Sequence, residues 1–514
     1  MSEIARIPDL VEDALGDTSA AAPGLHVVEA IETASVAARW WRIADFGVLS
    51  VWIAIVAFTL QYHEKWADEA QAWLIARDLG LKTIWFHELR YEGSPGLWHT
   101  ILWIAQHVFH ARYDALGYIG MAGATAGVAL LIFKAPFPRY IRWPLAFTYF
   151  LVYQYAVIAR PYTMLPLLAF SAALLFKDLE HPERMTIVLV LLANLSLHGT
   201  ILAGCLGLVY VMDAYRARAR LDARVRRNYW ICIGIMAAVL VFIMIILKPT
   251  PDVAEFATAK VPQRVAPPTE AVKLAGAFCG AFCDYLFPSV LFVLLAGVWC
   301  LMRGRFLTYA LPIALLFTLY GAVHGYAHHH GTMFLAAIAG IWIAWPLEGE
   351  HLRPYERRAT QLMVGLMLCL CGINIWDSLV TIRREYLYPY SGAEDAAKYL
   401  KAMWADREPT FGYLFGVVGV QAYFDHNILA NSPTSFYHQG VPLMATALDV
   451  EELKRANPEY VIAYSVDPQL MLDTDGPVWQ SLGYDLVHFS DGYYLYKRLV
   501  YQRETYLIFR RMRP

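Results

Sequence analysis

The feature that most constrains this chain is the apolar run Ile43 to Tyr62, twenty residues with Asp45 as the only charge. A helix of that length reaches about 30 Å, the thickness of a bilayer's hydrocarbon core. Inside that core a backbone must satisfy its own polar groups, so the segment is predicted to be helical. Arg39, Trp40, Trp41 and Arg42 precede it as a basic aromatic anchor. Comparable runs recur as far as residue 378, and 58% of the 514 residues are hydrophobic against 17% charged. An ordinary soluble enzyme is thereby excluded, and an all-α polytopic membrane protein is expected. The 42 Lys and Arg nearly balance the 44 Asp and Glu, so no net charge points to nucleic acid as a partner. All seven cysteines fall between Cys205 and Cys371, mostly inside apolar runs, which excludes a disulfide-stapled outer domain.

Loop charge orders these runs. Residues 1–42 are expected to be a loose cytoplasmic tail, Ala-rich and acidic, without the basic start and cleavage site of a signal peptide. Gly96 to His110 is apolar but only 15 residues long. It reaches about 22 Å, too short to span, and is read as interfacial within a long outer loop, 63–114. Lys134 to Arg142 and Arg216 to Arg227 are basic and belong inside, so the apolar stretch Met185 to Asp213 must cross and return, with His198 and Gly199 at its outer turn. About eleven spans follow, near 44–62, 115–133, 143–159, 162–176, 185–197, 199–213, 228–247, 285–302, 306–323, 332–347 and 359–378. The inner loops of this map hold 16 Lys and Arg in 45 residues and the outer loops 10 in 100, which is its main support. Residues 43–380 form the transmembrane domain. From 381 to 514 the composition turns mixed, with a helical stretch (Gly392 to Trp404) and strand-like runs (Phe411 to Val420, Tyr460 to Tyr464, Gly492 to Tyr496), read as an extracytoplasmic α/β domain.

Outer-face polar residues concentrate between Gln61 and Glu92. Asp68 stands where a helix, Glu69 to Leu79, is expected to begin, with Gln71 three residues on and Gly80 after its end. One reading makes Asp68 an N-cap with a capping-box partner and Glu69 a first-turn acid favoured by the helix dipole. The other makes it a carboxylate held at a membrane face beside Trp66 and Trp73, placed to act as a base on a lipid-borne substrate.

Several motifs occur in a shared order. They are W-A-D-E-A (Trp66 to Ala70), E-G-S-P-G-L-W (Glu92 to Trp98), A-R-P-Y-T-M-L (Ala159 to Leu165) and S-L-H-G-T (Ser196 to Thr200). The chain resembles, over roughly residues 40–380, the membrane glycosyltransferases of the GT-C class, in the branch of protein O-mannosyltransferases and the lipid A aminoarabinose transferase. That family carries Asp-Glu in the first outer loop and a Pro-Pro-Leu motif later, here Ser94-Pro95-Gly96-Leu97.

The resemblance implies transfer of a sugar from a polyprenyl phosphate to an acceptor hydroxyl, usually with inversion, at the outer face of a bacterial inner (plasma) membrane. The acceptor is a glycan, lipid or protein, and no nucleotide cofactor is needed. Asp68 would be the general base and Glu69 would help position it, while the departing phosphate needs cationic donors. Candidates for donor phosphate or sugar binding are Arg160, Tyr162, His198, Lys260, Arg264, His328, His329 and His330. Arg160 also reads as an interfacial anchor beside Tyr162, His198 as a helix-end polar residue, and Lys260 and Arg264 as a solvated surface. G-Y-A-H-H-H-G (Gly325 to Gly331), with His324 before it, could hold a divalent metal, but hydrogen-bond donation is favoured and no metal is expected. Two departures stand out. Leu165 occupies the place of the family's second acid, and Gly117 and Tyr118 occupy that of an Arg, for which Arg112 is a weak substitute. A polyprenyl-linked polysaccharide ligase or polymerase and a lipid-linked sugar transporter or flippase remain as rivals. Transporters, however, tend to place ionisable groups at the midplane and to show repeated halves, neither visible here.

Overall fold

A computed structural model of the chain describes residues 23–248, 251, 270–322, 327–438 and 450–512. Lys260, Arg264 and His324 lie outside the described residues. The chain is mostly helical, with a small C-terminal sheet region. Among the described residues, five helical segments are long and apolar enough to cross a membrane: Arg39–Leu60, Tyr113–Lys134, Leu197–Arg216, Ala223–Ile246 and Pro354–Leu387. Leu274–Ala281 and Leu286–Met302 meet at 67° and give a sixth if taken as one bent span.

In chain order the helices used below are α1 (Pro23–Leu60), α2 (Ala67–Asp78), α3 (Leu97–His107), α4 (Leu116–Lys134), α5 (Arg139–Ala146), α6 (Leu165–Leu175), α7 (Pro182–Ala193), α8 (Leu197–Arg216), α9 (Ala223–Ile246), α10 (Glu270–Ala281), α11 (Leu286–Met302), α12 (Phe306–Ala322), α13 (His330–Ala344), α14 (Pro354–Leu387) and α15 (Ala393–Ala402). Helix α1 begins inside the stretch expected to be a loose tail. The segment 96–110, read as too short to span, carries the short helix α3, and α7 and α8 form the paired segments on either side of Ser196.

The expected span 143–159 is not one helix. Pro144 lies inside α5, where it removes a backbone donor and crowds the preceding turn, and a π-helical turn follows at Phe150–Gln154. Residues 148–159 are all buried, so protein rather than lipid surrounds this irregular backbone. Tyr149, Phe150, Tyr153 and Tyr155 pack into the main core there. Beside it α4 lies close against α6, because Gly127 presents no side chain: a Cβ there would come within 2.6 Å of the Leu167 backbone nitrogen.

Helix α14 continues past the composition change at Thr381 to Leu387. The strands that follow are β1 (Thr410–Tyr413), β2 (Tyr460–Ser465), β3 (Tyr484–Ser490), β4 (Tyr493–Tyr496), β5 (Leu499–Arg503) and β6 (Thr505–Arg511). One sheet has the order β1-β2-β6-β3, with β1 and β2 parallel and the other pairs antiparallel, while β4 and β5 form a separate hairpin. The strand expected over Phe411 to Val420 stops at Tyr413, because Leu414 takes a positive φ of 68° and the chain turns into the short helix Val418–Gln421.

The β4–β5 hairpin leaves this sheet and enters the helical unit. Tyr496 donates its hydroxyl to the Gly280 carbonyl at 3.1 Å. At the tip, Lys497 pairs with Asp284, and Arg498 pairs with Asp284 at 3.0 Å and with Asp377 of α14 at 2.9 Å. Asp377 is fully buried, and an isolated charge there would be costly, so the two cations neutralise acids that the helices cannot neutralise themselves.

Candidate functional site

Helix α2 carries the two acids selected from the sequence and gives them different environments. Asp68 is not its cap: the N-cap is Trp66, whose backbone N–H donates to Glu69 Oε2 at 3.3 Å. Gln71, the expected capping partner, is drawn away. Its amide donates to Glu92 at 2.9 Å and to the Tyr437 carbonyl at 2.7 Å. With Glu69 closing the helix start, the Asp68 side chain is left for other contacts.

Glu69 is wholly buried. Its Oε1 accepts the Ala159 N–H at 2.7 Å, and its Oε2 lies 2.9 Å from His63 Nε2. His63 Nδ1 lies 2.7 Å from Glu385, which also accepts the Tyr153 hydroxyl. Burial by itself lowers the basicity of His63, but the carboxylates of Glu69 and Glu385 outweigh it and push the imidazole up to about 10. A buried Glu–His–Glu triad, unforeseen from the sequence, therefore ties α2 to the end of α14.

Asp68 meets Arg160 at 2.8 Å, with the two side chains 24% and 20% exposed. Burial raises the Asp68 carboxyl; Arg160 opposes the shift and the charges of Glu92 and Glu69 reinforce it. The same Arg160 nitrogen contacts His328 Nε2 at 2.9 Å, and the guanidinium lies 5.6 Å from the Trp66 ring centre and 6.0 Å from that of Tyr162. Burial and then the Arg160 charge hold His328 well below the usual histidine range, so its imidazole is neutral and accepts from the guanidinium. Tyr494 of β4 stands 3.4 Å from the other His328 nitrogen and packs on Trp66.

The remaining histidines continue this wall. Tyr162 and His198 are 3.2 Å apart, the His198 and His329 rings are 4.4 Å apart, and His329 lies 4.2 Å from His328. His330 turns to Tyr496, at 3.1 Å. Tyr155 and Tyr320 hold the backbone here by donating to the carbonyls of His328 and His329, at 2.9 and 2.7 Å. The structure thus gathers Asp68, Arg160, Tyr162, His198, His328 and His329, with His330 at their edge. Arg112 is exposed and opens the short turn Tyr113–Ala115. Among the described residues, no three His, Cys, Asp or Glu side chains converge as a metal-binding group.

Sequence reasoning did not select His63, Glu385 or Tyr494. The last has only the Y-Y-L-Y run as a signal, and the contact with His328 spans 166 residues.

A cross-unit contact also orients α2. The buried Glu504 accepts the Ala67 N–H at 3.1 Å and the Tyr506 hydroxyl at 2.8 Å. Burial pushes its carboxyl up to about 8. A carboxyl raised in the folded state contributes stability that is complete below its unfolded value of 4.5 and is lost as pH rises toward 8. The seating of α2 on the sheet is therefore expected to loosen between those limits, read as faster hydrogen exchange at α2. Glu504→Gln should flatten the dependence, and an unchanged slope in the variant would remove Glu504 as its cause.

The chain matches no family model, no curated protein and no solved structure.

Proposed function

We propose that the chain is a membrane glycosyltransferase of the GT-C type that moves a sugar from a polyprenyl phosphate to an acceptor hydroxyl. The observation that carries this proposal is the partly open Asp68–Arg160 pair, ringed by neutral imidazoles and aromatic faces. A carboxylate whose basicity is raised suits removal of a hydroxyl proton, and a guanidinium suits a phosphate. In the reaction the acceptor oxygen bonds to the anomeric carbon, the carbon–oxygen bond to phosphate breaks, Asp68 takes the proton and the polyprenyl phosphate leaves with the electron pair. An arriving phosphate competes with Asp68 for Arg160, so donor binding releases the base where it is needed. The eleven-span map, a site on the outer face of a bacterial inner membrane, and access for donor from lipid and acceptor from water belong to the same proposal.

Purified protein in lipid nanodiscs, given a panel of polyprenyl-phosphate sugars, is expected to release polyprenyl phosphate from at least one. Arg160→Gln should lower kcat by about 100- to 1,000-fold, the scale of losing one charge-stabilising donor. Full turnover by that variant would remove Arg160 from the mechanism, and no consumption of any donor by the wild type would overturn the proposal.

A further inference from the structure

Helix α7 leads, at its C-terminal end, to Ser196 and His198; at its start, the opposite end, a groove of about 630 Å³ opens between α7 and α9. On α7 the lining runs from Glu183 to Ile187 and Leu191 at one-turn spacing, and on α9 from Arg224 and Asn228 to Ile235. The polar residues of both helices therefore stand at one end and the apolar ones beyond them. Ile235 comes eleven residues after Arg224. That is about 16 Å along the helix, the depth of one leaflet of a hydrocarbon core roughly 30 Å thick. The mouth is fixed in place, because Tyr229 of α9 donates its hydroxyl to the Leu179 carbonyl ahead of α7 at 3.0 Å. Arg216 pairs with Asp213, and Arg226 donates to the Arg218 and Leu221 carbonyls, but among the described residues Arg224 has no such partner.

We infer that this groove holds one phospholipid with a zwitterionic aminoethyl phosphate head, a phosphatidylethanolamine. Its phosphate meets Arg224 and Asn228, its ammonium meets Glu183, and an acyl chain lies along Ile187, Leu191 and Ile235. The six Arg of residues 216–227, against the single acid Asp222, put the mouth in the cytoplasmic leaflet. An acid and a base side by side select a head that carries both charges. A purely anionic head would set its phosphate against Glu183 with nothing to offer that carboxylate. A choline head carries the same charges but no N–H to donate. The lipid would brace α7, whose far end carries the approach to His198.

The test adds phosphatidylethanolamine, phosphatidylcholine or phosphatidylglycerol to the delipidated full chain in detergent and reads the first bound lipid by native mass spectrometry. Phosphatidylethanolamine should bind at about threefold lower concentration than phosphatidylcholine, the scale of an exposed ion pair. Glu183→Gln should erase that preference, Arg224→Gln should weaken binding by about the same factor, and Ile187→Trp, which fills the groove, should exclude the lipid. All three positions are at the surface, so melting should match the wild type; a variant that melts early is replaced by Asn228→Leu, with weakening expected. Equal binding of ethanolamine and choline lipids by the wild type would overturn the site. So would a preference that survives Glu183→Gln, unchanged binding by Arg224→Gln or Ile187→Trp, or tighter binding of phosphatidylglycerol, which would give selection to the basic stretch and not the groove.

Discussion

Asp68→Asn is expected to reduce sugar transfer by about 100- to 10,000-fold, the usual worth of a positioned general base. The amide keeps the size of the side chain and can still face Arg160 at the 2.8 Å position, so melting should change little. The pH profile discriminates further. Burial holds the Asp68 carboxyl above the ordinary carboxylate range against the pull of Arg160, so the wild-type rate should fall on the acid side at a pH above that range, as the base becomes protonated. The residual activity of the variant should lack this limb. Full transfer by Asp68→Asn would reduce the Asp68–Arg160 pair to a structural contact and end its candidacy as the base.

His63→Leu is expected to be the most destabilising single change in the first loop. The substitution leaves Glu69 and Glu385, both buried, facing each other with no cation between them. Removing one partner of a buried charge group costs about 3–5 kcal/mol. A double change, His63→Leu with Glu385→Gln, should recover part of it by removing one of the stranded charges. The pH dependence has a definite sign. His63 is raised in the folded state, so its contribution is complete below the ordinary histidine value of 6.5 and disappears as pH rises through about 10. Wild-type protein should lose denaturant resistance across that window and His63→Leu should not. Equal midpoints for the two proteins at neutral pH would show that the triad contributes nothing.

The helices were legible because apolar runs report their environment locally: Ile43 to Tyr62 lies within α1 but for its last two residues, and the 15-residue stretch after Gly96 yields the short α3. The break in the 143–159 segment was also written locally, in Pro144, but hydropathy averages over such a residue. Asp68, Arg160 and His328 could be selected as chemically suited; their meeting could not be derived, since Arg160 and His328 are 168 residues apart. The Asp-Glu pair shows the limit of local rules. Both acids qualify for a first turn, and only the positions of His63, Glu385 and the Ala159 backbone decide that Glu69 is the one drawn into the buried triad. Of the two inner strands, β2 was read from the sequence and β6 was not, although the first five residues of both are buried, so loss of alternation does not by itself separate them.

The β4–β5 tip sets an order of events during synthesis. Asp284 and Asp377 are translated, and Asp377 enters a membrane-long helix, before Lys497 and Arg498 exist to offset them. The nascent bundle must therefore pass through a state with two uncompensated acids, and it locks only once Lys497 and Arg498 have been made. Premature termination anywhere before Lys497 would strand those acids and leave a product for quality control to remove.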